Sequence, residues 1–102
     1  MANYLLAYTG GGMAQTDAER EAAMAAWGGW FQQLGSAVVD AGNPVGASTA
    51  VTANGNGQAS AGLTGYSVVS ATDLAAAAEL VKGCPILANG GAVEVYETIP
   101  VM

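Results

Sequence analysis

Thr16-Asp-Ala-Glu-Arg-Glu-Ala-Ala-Met-Ala-Ala-Trp27-Gly-Gly-Trp30-Phe31-Gln-Gln-Leu34-Gly-Ser-Ala-Val38-Val-Asp40 is the longest segment of the chain without a turn signal. It holds both tryptophans and the only phenylalanine. Met24, Trp27, Phe31, Leu34 and Val38 recur at spacings of three and four, which is one face of a helix. Gln32, Gln33, Ser36 and Asp40 fall on the opposite side, and Trp30 lies at the margin beside Ala23 and Ala37. Thr16 followed by Glu19 fits a capping box, and Asp17 and Glu19 suit the positive end of the helix dipole. Gly28 and Gly29 weaken the middle and allow a bend or a close approach. Gly42 and then Asn43-Pro44 are expected to stop the helix.

Working outward, Asn3 to Tyr8 reads as a strand with Tyr4, Leu6 and Tyr8 on one face and Leu5 and Ala7 on the other. Both sets are apolar or aromatic, so both faces are expected to be covered. Gly10 to Gly12 breaks that strand. Val45 to Ala53 reads as a second strand and Leu63 to Ser70 as a third, joined in a hairpin through the turn signal Asn54-Gly-Asn-Gly57. Leu63 and Val69 share one face of the third strand, Tyr66 and Val68 the other. Asp73 with Ser70 or Thr72 starts a second helix, on which Leu74, Ala77, Ala78, Val81 and Cys84 align. Gly83 and Pro85 end it. Ala92 to Thr98 reads as a fourth strand with Val93 and Val95 on one face and Ala92, Glu94 and Tyr96 on the other.

The order is β-α-β-β-α-β, the ferredoxin-like split pattern of an α+β fold. Two helices should cover one face of a four-stranded antiparallel sheet. A length of 102 residues suits one domain over residues 1–102. Periodicity does not decide which strand face meets the helices. Either choice leaves an apolar sheet face, and charged residues make up only 10% of the chain. Both features predict a two-fold homodimer with the sheets facing each other.

Net charge is −6, and Arg20 and Lys82 are the only cations. No basic footprint for nucleic acid is present, and an anionic membrane surface would repel the chain. No segment approaches the length of an apolar membrane span, and Met1 to Leu6 lacks the features of a signal peptide. The single cysteine, Cys84, cannot form an internal disulfide, so a reducing cytoplasm is the expected location.

Gly65-Tyr-Ser-Val-Val-Ser-Ala-Thr-Asp-Leu-Ala-Ala-Ala-Ala-Glu-Leu-Val-Lys-Gly-Cys-Pro85 and Gly90-Gly-Ala-Val-Glu-Val95 carry a resemblance to a known family. The chain is similar to the YCII-related (DGPF-domain) family of dimeric α+β barrel proteins. Tyr4 to Tyr8 and Trp27 to Gly42 extend the likeness to nearly the whole chain. The Asp-Gly-Pro-Phe signature is missing between Gln58 and Thr64, which reads Gln-Ala-Ser-Ala-Gly-Leu-Thr. Some smaller members of the family carry a His-Asp pair proposed as catalytic, with the histidine on the first helix; Trp27 sits near that place, and this chain has no histidine. Tyr96 stands where the family commonly has arginine.

Without histidine, Ser/His and Cys/His nucleophile systems and histidine metal sites are excluded. Asp17, Glu19 and Glu21 are explained by the helix N-terminus, Cys84 by burial as a small apolar residue, and the glycine runs by turns. No catalytic residue, metal site or cofactor is assigned. Glu94 is either a partly buried acid or an acid at a sheet edge paired with Arg20 or a tyrosine. The tryptophans have two readings. Trp27 and Phe31 form the wedge between helix and sheet, or Trp30, with Trp27, Tyr8, Tyr66 and Glu94, lines a cleft for a small apolar or aromatic molecule. The expected function is a binding or accessory module without catalysis. The alternatives are a small enzyme relying on tyrosine and glutamate groups, and a purely structural subunit.

Overall fold

Alternation along the first strand settles which sheet face meets the helices. In a computed structural model, which describes residues 1–12 and 15–101, Tyr4, Leu6 and Tyr8 of Ala2–Thr9 (β1) are buried in the core. The main sheet is completed by Val38–Pro44 (β2), Leu63–Ala71 (β5) and Ala92–Glu97 (β6), in the order β2-β5-β1-β6 with every pair antiparallel. Tyr4 stands opposite Val69, and Leu6 opposite Ser67 and Val95. The other face carries Leu5 between Val68 and Tyr96, and Ala7 between Tyr66 and Glu94. Asp17–Leu34 (α1) and Leu74–Val81 (α2) pack on the first face, with Pro85–Ala88 (α3) beside them. This is the expected α+β arrangement. The short axis of 19 Å is the depth of one sheet and one helix layer.

Local chemistry places α1 and α2. Thr16 caps α1 by accepting from the Glu19 N–H at 3.1 Å, while the Glu19 carboxylate reaches back to the Gln15 N–H at 2.7 Å. The reciprocal bond of the capping box thus lands one residue earlier than the cap itself. Asp73 caps α2 by accepting from the Ala76 N–H at 2.7 Å. Ala77 and Val81 are buried, and Cys84 joins them in the core.

Three sequence expectations are corrected. The first helix ends at Gly35, not at Gly42. Gly35 takes a positive φ of 56°, and its N–H caps the Phe31 carbonyl. A short 3₁₀ turn (Gly35–Ala37) then feeds β2. Val38 is therefore a strand residue opposite Val69 and does not extend the helical face. Its apparent place in the helical period was a coincidence of spacing; the left-handed glycine breaks the helix first.

The second strand of the main sheet is accordingly 38–44, not 45–53. Ala50–Thr52 (β3) and Gly55–Gly57 (β4) form a separate two-stranded ribbon, turning through Ala53 and Asn54. Residues 45–57 hold small side chains and three glycines, too little apolar volume to anchor a strand over the core. Val38 supplies that anchor. Pro85, expected only to stop the second helix, also starts α3, whose Ile86 is buried. Proline suits this first helical position because its missing N–H would have no helical partner there.

Candidate functional site: a cleft between the first helix and the sheet

The packing of α1 decides where a cavity can form. Trp30, expected at the margin, is the helix's buried residue at 4% exposure. Its Nε1–H donates to the Leu80 carbonyl at 3.2 Å, which ties α1 to α2. Gly83 lies beside it, where a Cβ would be in ordinary contact with the indole ring at 3.4 Å. Met24, expected on the buried face, is 70% exposed. Trp27, Phe31 and Leu34 are half-buried against the core. The helix is thus rolled about its axis so that Trp30 is the wedge and the Met24–Trp27–Phe31 stripe overhangs one end of the sheet.

Beneath that stripe is a cleft of about 340 Å³. Its volume lies within the range of small-molecule sites, roughly 300–1,000 Å³. Met24, Trp27 and Phe31 wall it from the helix; Tyr8, Ser67 and Gly65 belong to the sheet side; residues 41–44 of β2 and Ile86 close the ends. Tyr8 and Trp27 meet edge to face at 5.1 Å between ring centres. Trp27 continues to Trp30 at 5.8 Å and to Phe31 at 5.9 Å. This aromatic cluster stiffens the wall.

The polar floor is a short hydroxyl chain. Tyr8 Oη–H donates to Ser67 Oγ at 2.8 Å, and Ser67 Oγ–H donates to the Ala41 carbonyl at 2.6 Å. Both hydroxyl protons are therefore committed, and the chain ends on a carbonyl that does not take up a proton. Burial pushes the Tyr8 pKa up to about 12, against a smaller lowering by the Ser67 bond. Tyr8 stays a neutral phenol at physiological pH.

The strand segment receiving that chain is bent. Pairing of β2 with β5 slips between Asp40 and Asn43. Gly42 sits at the slip with φ 76°, and the Asp40 carboxylate accepts from its N–H at 2.8 Å. A Cβ on Gly42 would fall 1.7 Å from the Tyr66 carbonyl oxygen. Only glycine fits, and the bulge it permits turns the Ala41 carbonyl toward Ser67.

The five residues expected to line a cleft separate. Tyr8 and Trp27 come together in it. Tyr66 stands at its edge, but its side chain follows the alternation of the other sheet face, where its hydroxyl accepts from Asn43 Nδ2 at 3.4 Å. Trp30 lies outside, buried in the core and edging an open groove of about 880 Å³ on the far flank of α1. Glu94 is exposed on the open sheet face, opposite Ala7. Its carboxylate beside Tyr96 raises that phenol's pKa. Of the two readings of Glu94, the acid at the sheet edge beside a tyrosine holds: β6 is an edge strand and the parity of Glu94 is that of the uncovered face.

Ser67, Arg20, Met24 and the bulge at Gly42 line the cleft without having been singled out from the sequence. Ser67 could have been found, as the lone hydroxyl residue sharing the face of Val69 in β5. Cys84 is buried, and burial raises its thiol pKa. Among the described residues, no three His, Cys, Asp or Glu side chains are placed to hold a metal ion, and no helix is long and apolar enough to cross a membrane.

Comparisons with curated proteins and with solved structures give no significant match. The family model of the YCII-related domain matches residues 1–102. With the whole chain covered, and with the βαββαβ sheet and paired helices in place, the protein belongs to the YCII-related family.

Proposed function

We propose that this YCII-related protein is a binding or accessory module that holds a small apolar or aromatic molecule in the cleft beneath α1. The observation that carries the reading is the cleft itself: about 340 Å³, walled by Tyr8, Met24, Trp27 and Phe31, with the Tyr8 and Ser67 hydroxyls already paired. Apolar walls supply the driving force, and fixed polar groups orient the guest. The enzymatic alternative needs an acid or base in contact with the guest. Tyr8 keeps its proton to about pH 12, and Glu94 lies outside the lining.

The working unit in this proposal is a homodimer joined through the open sheet face. Leu5, Ala7, Tyr66, Val68 and Tyr96 make that face apolar, which supports burial against a second copy. The lone, buried Cys84 suits a reducing cytoplasm. Titration of intrinsic tryptophan fluorescence with a panel of aromatic and aliphatic compounds tests the binding reading. A saturable change in the parent protein that Trp27→Phe abolishes supports it. No change with any compound would remove it. Light scattering tests the assembly: a monomer at micromolar concentration contradicts the dimer.

A further inference from the structure

The cleft has a charge pattern at odds with the rest of the molecule. The chain carries a net charge of −6 and two cations, Arg20 and Lys82. Among the described residues, Arg20 is the one charged side chain lining the cleft, and no carboxylate lines it. Arg20, Met24, Trp27 and Phe31 follow one another at spacings of four, three and four, so the guanidinium continues the aromatic stripe by one turn. Its side chain is 63% exposed, which puts the charge at the mouth. The floor is different: the Tyr8 and Ser67 protons are both donated within the protein, so an anion at that depth would find neither of these two hydroxyls free to donate.

From this juxtaposition we infer that the guest is an organic anion, an aromatic or alicyclic body carrying a carboxylate, which lies body-inward with the carboxylate on Arg20. This rests on the binding reading above and adds the ligand's charge and direction. Arg20 now holds Asp17 through one oxygen at 3.2 Å. That pair is exposed on both sides and exchanges readily for a carboxylate whose body is held in the cleft. Guanidinium presents two parallel N–H groups to a carboxylate, a geometry that a neutral amide cannot match. Glu19, the nearest other acid in the first turns of α1 to line a cavity, edges the groove on the opposite flank. Asp17 and Glu21 are the other acids of the helix start, and of the two it is Asp17 that pairs with the guanidinium.

The test compares naphthalene-1-carboxylate with naphthalene-1-carboxamide by calorimetry. The pair differs little in shape and by one charge. The parent protein should prefer the carboxylate by about tenfold, and Arg20→Gln should reduce the preference to about twofold or less while leaving the amide affinity unchanged. Asp17→Asn, which frees the guanidinium, should tighten the carboxylate and not the amide. Raising salt from about 20 mM to about 500 mM should weaken the carboxylate alone. Equal affinity for the two probes, or a preference that survives Arg20→Gln, overturns the assignment of charge and leaves the cleft as a neutral site. Binding of neither probe removes both this inference and the cleft reading. Because Arg20 is exposed and buries no core surface, a folded variant is expected, and its circular dichroism should match the parent.

Discussion

Removing Ser67 should cost more than removing the tyrosine hydroxyl it accepts, although a serine is the smaller side chain. Ser67 is fully buried and bridges two groups, taking a bond from Tyr8 and giving one to the Ala41 carbonyl. Ser67→Ala strands both, and each buried unpaired group costs about 1–3 kcal/mol. Allowing for partial hydration of the carbonyl, the loss should be about 2–4 kcal/mol. Tyr8→Phe leaves Ser67 bonded to Ala41 and deletes a single neutral bond, at about 0.5–1.5 kcal/mol. The two changes should not add. Once Ser67 is alanine, Tyr8→Phe removes the stranded hydroxyl, so in that background it should be neutral or stabilising. Urea unfolding followed by circular dichroism reads all four corners of the cycle, with an unchanged m-value showing that the denatured state is the same. A Ser67→Ala cost no larger than that of Tyr8→Phe, or simple additivity, would refute the bridged chain.

Three further outcomes follow from the same geometry. Trp30→Ala should cost about 3–5 kcal/mol in urea unfolding as a buried wedge, and half-buried Trp27→Ala markedly less; the reverse order would mean the helix is rolled the other way. Gly42→Ala should lose about 1–3 kcal/mol from its left-handed backbone alone, with the clash at Tyr66 adding to it, so a variant as stable as the parent would contradict the bulge. Tyr8, whose pKa rises from 10.0 to about 12 on burial, holds its proton in the folded state where the unfolded chain would release it. Its contribution is full below pH 10 and is lost between pH 10 and about 12, a change of about 2–3 kcal/mol that Tyr8→Phe should eliminate. Tyr4 and Tyr96 are also raised, so phenolate absorbance should show a late-titrating fraction that loses one tyrosine's amplitude in the variant.

Much of the fold was legible because its signals are local. The Thr16 and Asp73 caps, the alternation in β1, β5 and β6, and the apolar run of α2 each speak through neighbours within four residues. The misreadings came where a local pattern had two solutions. Val38 fits a helical period and a strand equally well, and Gly35 decided between them through a backbone angle the sequence does not state. Of the Asn54-Gly-Asn-Gly57 turn signal only Asn54 lies in the turn, Gly55–Gly57 being a strand, and the ribbon lies apart from the main sheet because nothing in residues 45–57 could reach the core. The cleft was half legible. Tyr8 and Trp27 were named because aromatic residues at a helix-sheet junction tend to meet. Trp30 and Glu94 were misplaced because helix rotation and strand parity are set by long-range packing: the Leu80 carbonyl claims Trp30, and the Leu6–Val95 pairing turns Glu94 outward. Ser67 and the Gly42 bulge depend on contacts 23 to 59 residues apart in sequence.

The account stands on Trp27 walling a binding cleft while Trp30 serves the core, and the two indole N–H resonances separate these roles. In a ¹⁵N-labelled sample, with the peaks assigned through Trp27→Phe, naphthalene-1-carboxylate should move the Trp27 indole signal along a saturable curve. The Trp30 signal, held on the Leu80 carbonyl, should shift much less. A Trp27 signal that does not respond, or a Trp30 signal that moves further, would contradict the cleft as the functional site.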